Sequence, residues 1–165
     1  MNELDFYYKP ATESELIRRW DRNIAAHPGD GRWPAWKAQY LEDNRLGRCR
    51  TFVILVEDEP IGEGTLLYSP ECGAIGGRLE LADGERVANI NALRIEKAYE
   101  GQGHISKMVR VMEQCAKEIG YRALSIGVEA AEARNLAIYL HWGFRRFLCS
   151  AIEDGALVLY YEKRL

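Results

Sequence analysis

Apolar residues occur both in short continuous runs and at helical spacing, and the order of these patterns predicts the fold. "RTFVILVE" is a continuous apolar run bounded by the turn "DEP", which is typical of a buried strand, and "IGEGTLLYS" follows it as a hairpin partner. After the loop "EGQGHIS", apolar residues from Ile105 to Ile119 recur at helical spacing until Gly120. This pattern predicts one amphipathic helix that ends at the glycine.

The remaining segments complete the order βααβββαβαββ. The predicted strands are "LDFYYKP", "VANINALRI", "ALSIGVE", "FRRFLCS" and "ALVLYYEKR". Two of the predicted helices are "WPAWKAQYLEDNRLG" and "AAEARNLAIYLHW". "TESELIRRWDRNIAAH" is a further helix, beginning with a capping box of Thr12 and Glu15. The glycine-rich "PECGAIGGRLELADGE" is expected to be irregular, with a short extra hairpin. The order predicts an α/β fold of the mixed α+β kind: a mixed sheet with helices on both faces, in a single domain over residues 1–165.

Charge and hydropathy narrow the class of protein. The formal net charge is −3 and no dense basic block occurs, which disfavours a nucleic-acid partner. There is no apolar run of about 18 residues, so no membrane span is expected. The first residues, "MNELDFYYKPATESE", lack the basic and apolar regions of a signal peptide. We therefore expect a cytoplasmic protein.

Cysteine and histidine residues are scattered rather than clustered. The four cysteines form no CxxC pair, so we expect reduced thiols. The three histidines are equally dispersed, and we expect no metal centre.

The loop carrying Gly101 and Gly103 is the strongest candidate for binding an anion. A Walker A loop requires GxxxxGK[ST], which is absent, and a dinucleotide fingerprint requires a third glycine where Ser106 stands. What remains is a strand, a short loop and a helix start, which direct backbone N–H groups and a positive dipole end at one point. A plain strand-to-helix connection is the alternative, because a lone GxG is a weak signal.

Three segments together resemble the GNAT superfamily of N-acetyltransferases. They are "INALRIEKAYEGQGHISKMV", "LSIGVE" and "NLAIYLHWGF", which occur in the family's order and at similar spacing. The similarity extends from Val87 to Phe147, and the N-terminal third agrees only in its element order. The resemblance implies that the central mixed sheet is mostly antiparallel and twisted. The resemblance implies that the loop binds the pyrophosphate of coenzyme A and that acetyl-CoA is the acyl donor, with no metal.

The resemblance also implies which residues contact CoA. Leu93 and Ile95 are expected to form main-chain hydrogen bonds with pantetheine and the acetyl carbonyl. The full set of expected CoA-binding residues is Leu93, Arg94, Ile95, Gly101, Gln102, Gly103, His104, Ile105, Ser106, Asn135 and Tyr139. Two positions depart from the motif: Glu100 replaces arginine or glutamine, and Ile105 replaces a small residue. Since a carboxylate beside a pyrophosphate is unfavourable, we expect Glu100 to face solvent.

Two residues are candidates for proton transfer. A neutral tyrosine can protonate a departing thiolate. Helical spacing alone favours a core aromatic at Tyr139, whereas the resemblance, with "YLHWGF" in the family's register, implies the proton-donor role. Glu63 is the candidate base, although an exposed strand residue is the favoured interpretation of this position, and water is the alternative proton acceptor. His104 is expected to be a surface loop residue, and His141 to face solvent.

The acceptor is expected to be a primary amine of a small molecule or peptide. Trp20, Trp33 and Trp36 either line an aromatic slot for a cationic or apolar group or anchor the core, and we expect core packing for at least one. A non-catalytic acyl-CoA sensor or assembly module is the alternative function. A nucleotide-binding regulatory domain is disfavoured by the missing motifs, and the oligomeric state, including a homodimer, is left open.

Overall fold

The structure is a computed structural model that describes residues 3–165. Met1 and Asn2, with which the polar start and the expected domain begin, lie outside the described residues. In chain order the elements are β1 (Phe6–Pro10), α1 (Glu13–Ala26), α2 (Arg32–Arg45), β2 (Cys49–Val56), β3 (Glu59–Leu67), β4 (Val87–Ile95), a short 3-10 helix (Lys97–Tyr99), α3 (His104–Ile119), β5 (Ala123–Glu129), α4 (Ala133–His141), β6 (Arg146–Glu153) and β7 (Ala156–Arg164). The predicted order is confirmed, and the 3-10 helix is an addition to it.

The strands form one sheet in the order β1-β2-β3-β4-β5-β7-β6. β4 and β5 are parallel, with Val87 opposite Ala123 and Ile90 opposite Ile126. The β1–β2, β5–β7 and β6–β7 pairs are antiparallel. The mixed, mostly antiparallel sheet of the predicted fold class is therefore confirmed.

The chain divides into two compact units. The first unit contains residues 3–66 and Ala92–Gln114, and the second contains Leu67–Asn91 and Cys115–Leu165. The single domain expected over residues 1–165 stays a prediction.

The first unit contains the N-terminal helices and their core. The capping box at α1 is confirmed: the Thr12 hydroxyl accepts from the Glu15 amide at 3.2 Å, and the Glu15 carboxylate accepts from the Thr12 amide at 2.9 Å. A buried apolar cluster joins α1 and α2 and consists of Leu16, Trp20 and Trp33. At least one tryptophan is thus a core residue, as expected.

The second unit contains the glycine-rich segment between β3 and β4. Residues 70–86 form successive turns, so the extra hairpin expected there is wrong. The segment is held by buried polar contacts instead: the Ser125 hydroxyl donates to the Leu81 carbonyl at 2.6 Å and accepts from the Asn89 amide at 2.8 Å. Because these contacts satisfy the backbone with a side chain, the segment does not require a strand pairing at Leu81.

Helix α3 follows the predicted apolar stripe and ends where predicted. Met108, Val109, Met112 and Ala116 are buried, whereas Ile119, the last residue of the expected stripe, is exposed. Gly120 has a φ of 115° and its amide donates to the Ala116 carbonyl at 3.2 Å. A glycine ends the helix because this backbone conformation disfavours residues with a Cβ.

Candidate functional site

The loop before α3 has the open backbone that a bound phosphate would need. Gly101 and Gly103 adopt φ angles of 75° and 84°, which glycine tolerates and other residues rarely do. Both are exposed, and a Cβ added to either would meet no heavy atom within 4 Å. The glycines therefore serve the turn itself, and the space that a side chain would occupy at either position, just before α3, is open. Such a helix start attracts anions.

The two departures from the loop motif are accommodated differently. Glu100 is exposed, in agreement with the expectation that its carboxylate faces solvent. Ile105 is half-buried, as is Ser106. The first turn of α3 therefore carries no negative side chain at Ile105 or Ser106.

His104 is a buried residue, so its expected place on a surface loop is wrong. It is the first residue of α3, only 5% exposed, and its ring lies 4.2 Å from that of Phe6. Its Nε2 lies 3.1 Å from Oε1 of the Gln102 side chain, and its Nδ1 lies 2.7 Å from the Tyr8 hydroxyl oxygen. Because the Gln102 Oε1 can only accept, the neutral ring donates a hydrogen bond from Nε2 and accepts one from the Tyr8 hydroxyl at Nδ1.

Two effects lower the pKa of His104. Burial is the larger, and the positive charge of Lys107 is the second. The neutral imidazole therefore stabilises the loop by holding Gln102, without adding a charge at the helix start.

Strand β4 contains one residue in a left-handed backbone conformation, just beyond its pairing with β5. The parallel pairing with β5 ends at Ile90, and Ala92 has a positive φ of 56°. Leu93, Arg94 and Ile95 continue the strand in the first unit and are half-buried. The main-chain contacts of Leu93 and Ile95 with pantetheine stay a prediction.

Glu63 is almost completely buried, so the favoured expectation of an exposed strand residue is wrong. It is 1% exposed, and its Oε2 accepts from the Arg19 guanidinium. Its Oε1 accepts from the Asn23 amide at 3.0 Å and from Arg94 Nη1 at 2.9 Å. Two guanidinium groups and an amide therefore match the buried carboxylate, as a buried charge requires.

The glycines on each side of Glu63 allow close packing of β3. A Cβ at Gly62 would lie 2.9 Å from the Arg94 carbonyl oxygen. A Cβ at Gly64 would lie 2.7 Å from Leu93 Cδ2 and 2.9 Å from Met108 Cε. The "GEG" sequence thus brings β3 close to β4 and α3 and places the carboxylate beside Arg94.

An arginine already occupies the faces of two tryptophans. Arg94 Cζ lies 4.9 Å from the centre of the Trp33 ring and 5.4 Å from that of Trp20. Both tryptophans are buried and Trp36 is half-buried. The aromatic slot considered for a cationic acceptor therefore contains a cation of the chain itself, through a favourable cation–π contact.

Asn135 and Tyr139 lie one turn apart on α4, in the second unit. Asn135 is exposed and donates to the Glu132 carboxylate at 2.6 Å. Tyr139 is half-buried, with its ring 5.5 Å from that of Trp142. Burial, followed by the charge of Glu132, raises the pKa of Tyr139 above its ordinary value of 10.0. The phenol is consequently protonated at neutral pH. His141 is exposed, as expected.

Sequence reasoning missed Arg19 and Asn23, which bind Glu63. Both are buried on α1, on the helix face that also carries Leu16 and Trp20. Their spacing of four residues places them on neighbouring turns. Two polar residues within an apolar helical stripe were the signal that could have identified them.

No helix among residues 3–165 is long and apolar enough to cross a membrane. In the same residues, no group of three or more His, Cys, Asp or Glu side chains is arranged to hold a metal ion.

Comparison with solved structures shows one recurrent fold. The chain is similar to the IAA acetyltransferase from Bacillus cereus ATCC 14579, at 18% identity and a TM-score of 0.66, with 98% of this chain and 100% of that chain covered. It is similar to a GNAT family acetyltransferase from Elizabethkingia anophelis with acetyl-CoA bound, at 17% identity and a TM-score of 0.66. That match covers 97% of this chain and 98% of the other. It is also similar to the ribosomal-protein-alanine N-acetyltransferase from Brucella melitensis, at 15% identity and a TM-score of 0.69, with 96% of this chain and 99% of that chain covered. These likenesses establish the fold.

A search of curated proteins found no match. The sequence model of the Acetyltransferase (GNAT) family matches residues 13–144, which is most of the 165-residue chain. The segment includes β3 with Glu63, the glycine loop before α3, and α4 with Tyr139. The chain therefore belongs to the Acetyltransferase (GNAT) family.

Proposed function

We propose that the protein transfers the acetyl group of acetyl-CoA to a primary amine of a small molecule or peptide, by direct attack in a ternary complex. The observation that carries the proposal is the open glycine loop ahead of α3 in a chain of an acetyltransferase family. The Elizabethkingia structure contains acetyl-CoA and the Brucella structure is named as an N-acetyltransferase. We extend both properties to this chain as parts of the proposal.

The loop and the first turn of α3 would bind the pyrophosphate. The residues assigned to this contact are Gly101, Gln102, Gly103, His104, Ile105 and Ser106. Their backbone amides are the donors, so the exposed carboxylate of Glu100 does not oppose binding. A neutral His104 holding Gln102 favours one loop conformation before CoA arrives, which reduces the entropy lost on binding.

In the reaction the amine nitrogen forms a bond with the thioester carbonyl carbon, and the bond from that carbon to sulfur breaks. Main-chain groups of Leu93 and Ile95 are assigned to the acetyl carbonyl, where donors stabilise the developing oxyanion. The Tyr139 hydroxyl is assigned as the proton donor to the departing thiolate. Asn135 is assigned to the pantetheine arm.

The amine proton has two proposed destinations, Glu63 and water. Glu63 already accepts hydrogen bonds from Arg19, Asn23 and Arg94. Because these donors occupy its oxygens, we favour water as the proton acceptor and assign Glu63 to positioning Arg94. A cytoplasmic location belongs to the same proposal, which leaves homodimer formation open.

Ligand-dependent thermal stability tests CoA binding. A ligand at about 100 times its Kd raises the unfolding free energy by about 2.7 kcal/mol. We expect acetyl-CoA and CoA to raise the melting temperature, and ATP and NAD to leave it unchanged. A shift with ATP or NAD and none with CoA contradicts the proposal.

Thiol release across a library of primary amines tests transfer. We expect at least one amine to accelerate CoA release and to gain an acetyl group by mass spectrometry. The alternative, a non-catalytic acyl-CoA sensor, predicts CoA binding without accelerated release for any amine.

A further inference from the structure

The guanidinium of Arg94 is anchored but only partly enclosed. Its Nη1 donates to Glu63 Oε1 at 2.9 Å, and its Cζ lies 4.9 Å from the centre of the Trp33 ring. The side chain is 29% exposed, whereas that of Glu63 is 2% exposed. A fixed cation thus lies at the edge of a buried polar cluster.

The buried carboxylate does not depend on Arg94 alone. Glu63 also accepts from Arg19, whose side chain is 4% exposed, and from Asn23. These contacts fix Glu63, and Glu63 in turn fixes one corner of the Arg94 fork. Since little side-chain freedom remains to be lost, Arg94 is preorganised to bind a further group.

Arg94 uses one of its N–H groups for its hydrogen bond within residues 3–165. A guanidinium carries five N–H donors in a planar fork. Among residues 3–165, the hydrogen-bond partner of Arg94 is Glu63, through Nη1. The remaining donors are therefore available to an incoming acceptor atom.

The strand position of Arg94 relates it to the proposed reaction. It lies between Leu93 and Ile95, whose main chains are assigned to the acetyl carbonyl and pantetheine. Leu93 Cδ2 lies on the side of Gly64 and Met108, whereas the Arg94 side chain contacts Trp20 and Trp33 of α1 and α2. The side chains of Leu93 and Arg94 therefore lie against different elements, and the Arg94 guanidinium lies beside α1 and α2.

We propose that Arg94 binds a carboxylate of the acceptor, so that the acceptor amines are amino-acid-like, with a carboxylate a few bonds from the amine. This inference rests on the proposed function and specifies its substrate class. One planar fork matches the two oxygens of a carboxylate, and charge-assisted pairs of this kind are strong and directional. An acceptor with a cation at this position is opposed, because Arg94 already covers the tryptophan faces.

The test compares acceptors that differ only at the carboxylate. Initial rates are measured for the common amino acids, their methyl esters and the corresponding decarboxylated amines at saturating acetyl-CoA. We expect the best free amino acid to exceed its ester and amine by about 10- to 100-fold in kcat/KM, as for loss of a hydrogen bond to a charged group.

Arg94→Met is expected to remove this preference, and calorimetric titration of the variant with CoA measures separately the CoA contact expected of Arg94. Arg94→Lys retains the charge beside Glu63 but lacks the planar fork, and we expect it to keep the melting temperature and lose most of the preference. Arg32→Met is the matched control, because Arg32 also pairs with a carboxylate, Asp30, and lies 5.5 Å from the Trp36 ring centre. It is expected to retain the preference.

Equal or higher rates with esters or amines in the wild-type protein overturn the inference, as does a carboxylate preference that persists in both Arg94 variants. A lack of transfer to every amine tested also overturns it. Calorimetric titration with CoA separates the two ideas: transfer to amines without carboxylates, together with CoA binding, contradicts the carboxylate site alone, whereas a lack of CoA binding contradicts the proposed function.

Discussion

Glu63 of β3 and Arg19 of α1 form an ion pair in which both side chains are almost fully buried. A buried charge that loses its partner pays an uncompensated desolvation cost. The pair therefore makes the stability of the first unit depend on one carboxylate in a strand and one guanidinium in a helix.

Glu63→Gln should strongly destabilise the protein. The substitution keeps the shape of the side chain but leaves Arg19 with only the more distant carboxylate of Glu96, 3.7 Å from its Nη1. Breaking a buried pair typically costs about 3–5 kcal/mol. Denaturant-induced unfolding measures the loss. Glu59→Gln is the control, because Glu59 pairs with Arg22 at 2.6 Å but is 56% exposed, and such pairs contribute about 0–1 kcal/mol. Equal losses in the two variants would contradict the buried role of Glu63.

Alanine should be tolerated less well at Gly62 than at Gly64. The new Cβ at Gly62 lies 2.9 Å from the backbone carbonyl oxygen of Arg94, which moves only with the strand. At Gly64 the close atoms are the ends of the Leu93 and Met108 side chains, which can rotate away. Overpacking of this kind costs about 1–3 kcal/mol, and we expect Gly62→Ala near the upper end. Chemical denaturation of both variants measures the difference, and a larger loss for Gly64→Ala is the contradicting result.

The order of elements could be predicted because its signals are local. The capping box of Thr12 and Glu15 involves residues three positions apart, and the end of α3 depends on one glycine at a positive φ. Periodicity along α3 identified Met108 and Met112 as core residues. Each signal depends on the chain within a turn or two of the residue concerned.

The polar interior could not be predicted from local pattern. Glu63 is buried because Arg19 and Asn23 reach it from positions 44 and 40 residues earlier in the chain. His104 is buried because Tyr8, 96 residues away, supplies its hydrogen-bond partner. Their residue types favour solvent unless a partner compensates burial, and single-sequence periodicity does not reveal distant partners.

Gly103→Val should weaken CoA binding beyond its effect on stability. A residue with a Cβ at this φ of 84° is strained, by about 1–2 kcal/mol. The added side chain also enters the open space assigned to phosphate, and loss of charge-assisted hydrogen bonds there should reduce affinity by about tenfold or more. Calorimetric titration with CoA, at a temperature where the variant is folded, measures this effect.

Gly47→Val controls for strain in that experiment. Gly47 has a φ of 72° and, like Gly103, open space around an added Cβ. It lies after α2, away from the loop sequence, so a similar loss of stability with unchanged CoA affinity is expected. If both valine variants bind CoA like the wild type, the loop does not contact the phosphates.

His104 should make the protein less stable as the pH falls below about 6.5, the ordinary pKa of histidine. Burial and Lys107 lower the pKa of His104 in the folded state, so the unfolded chain binds the proton first. The contribution of neutral His104 to the unfolding free energy is fully present above the pKa of the unfolded chain. It is lost as the pH falls toward the lower pKa of the folded state.

His104→Gln should therefore reduce the drop in unfolding free energy between pH 7.5 and pH 5.5, measured by denaturant titration. Glutamine retains a polar group near the Tyr8 hydroxyl. His141→Gln is the control, because His141 is exposed, and it should keep the wild-type pH dependence. An identical pH dependence in all three proteins would exclude His104 as its source.

Tyr139→Phe should lower kcat while leaving the affinity for acetyl-CoA nearly unchanged. The hydroxyl is needed when negative charge gathers on the departing sulfur, so its loss affects the transition state rather than the ground state. Its pKa, raised by burial and by Glu132, keeps the proton available throughout the neutral range. General acid catalysis typically contributes about 10²–10⁴-fold, and we expect about 10²-fold or less because a thiolate is already a tolerable leaving group. Steady-state kinetics and CoA titration measure the two quantities.

The same variant distinguishes catalysis from packing. Phenylalanine retains the ring that lies 5.5 Å from that of Trp142, so the melting temperature should change little. A variant that unfolds easily at unchanged specific activity would make Tyr139 a packing residue. If neither quantity changes, solvent protonates the thiolate, and the rate enhancement comes from positioning the amine against the thioester.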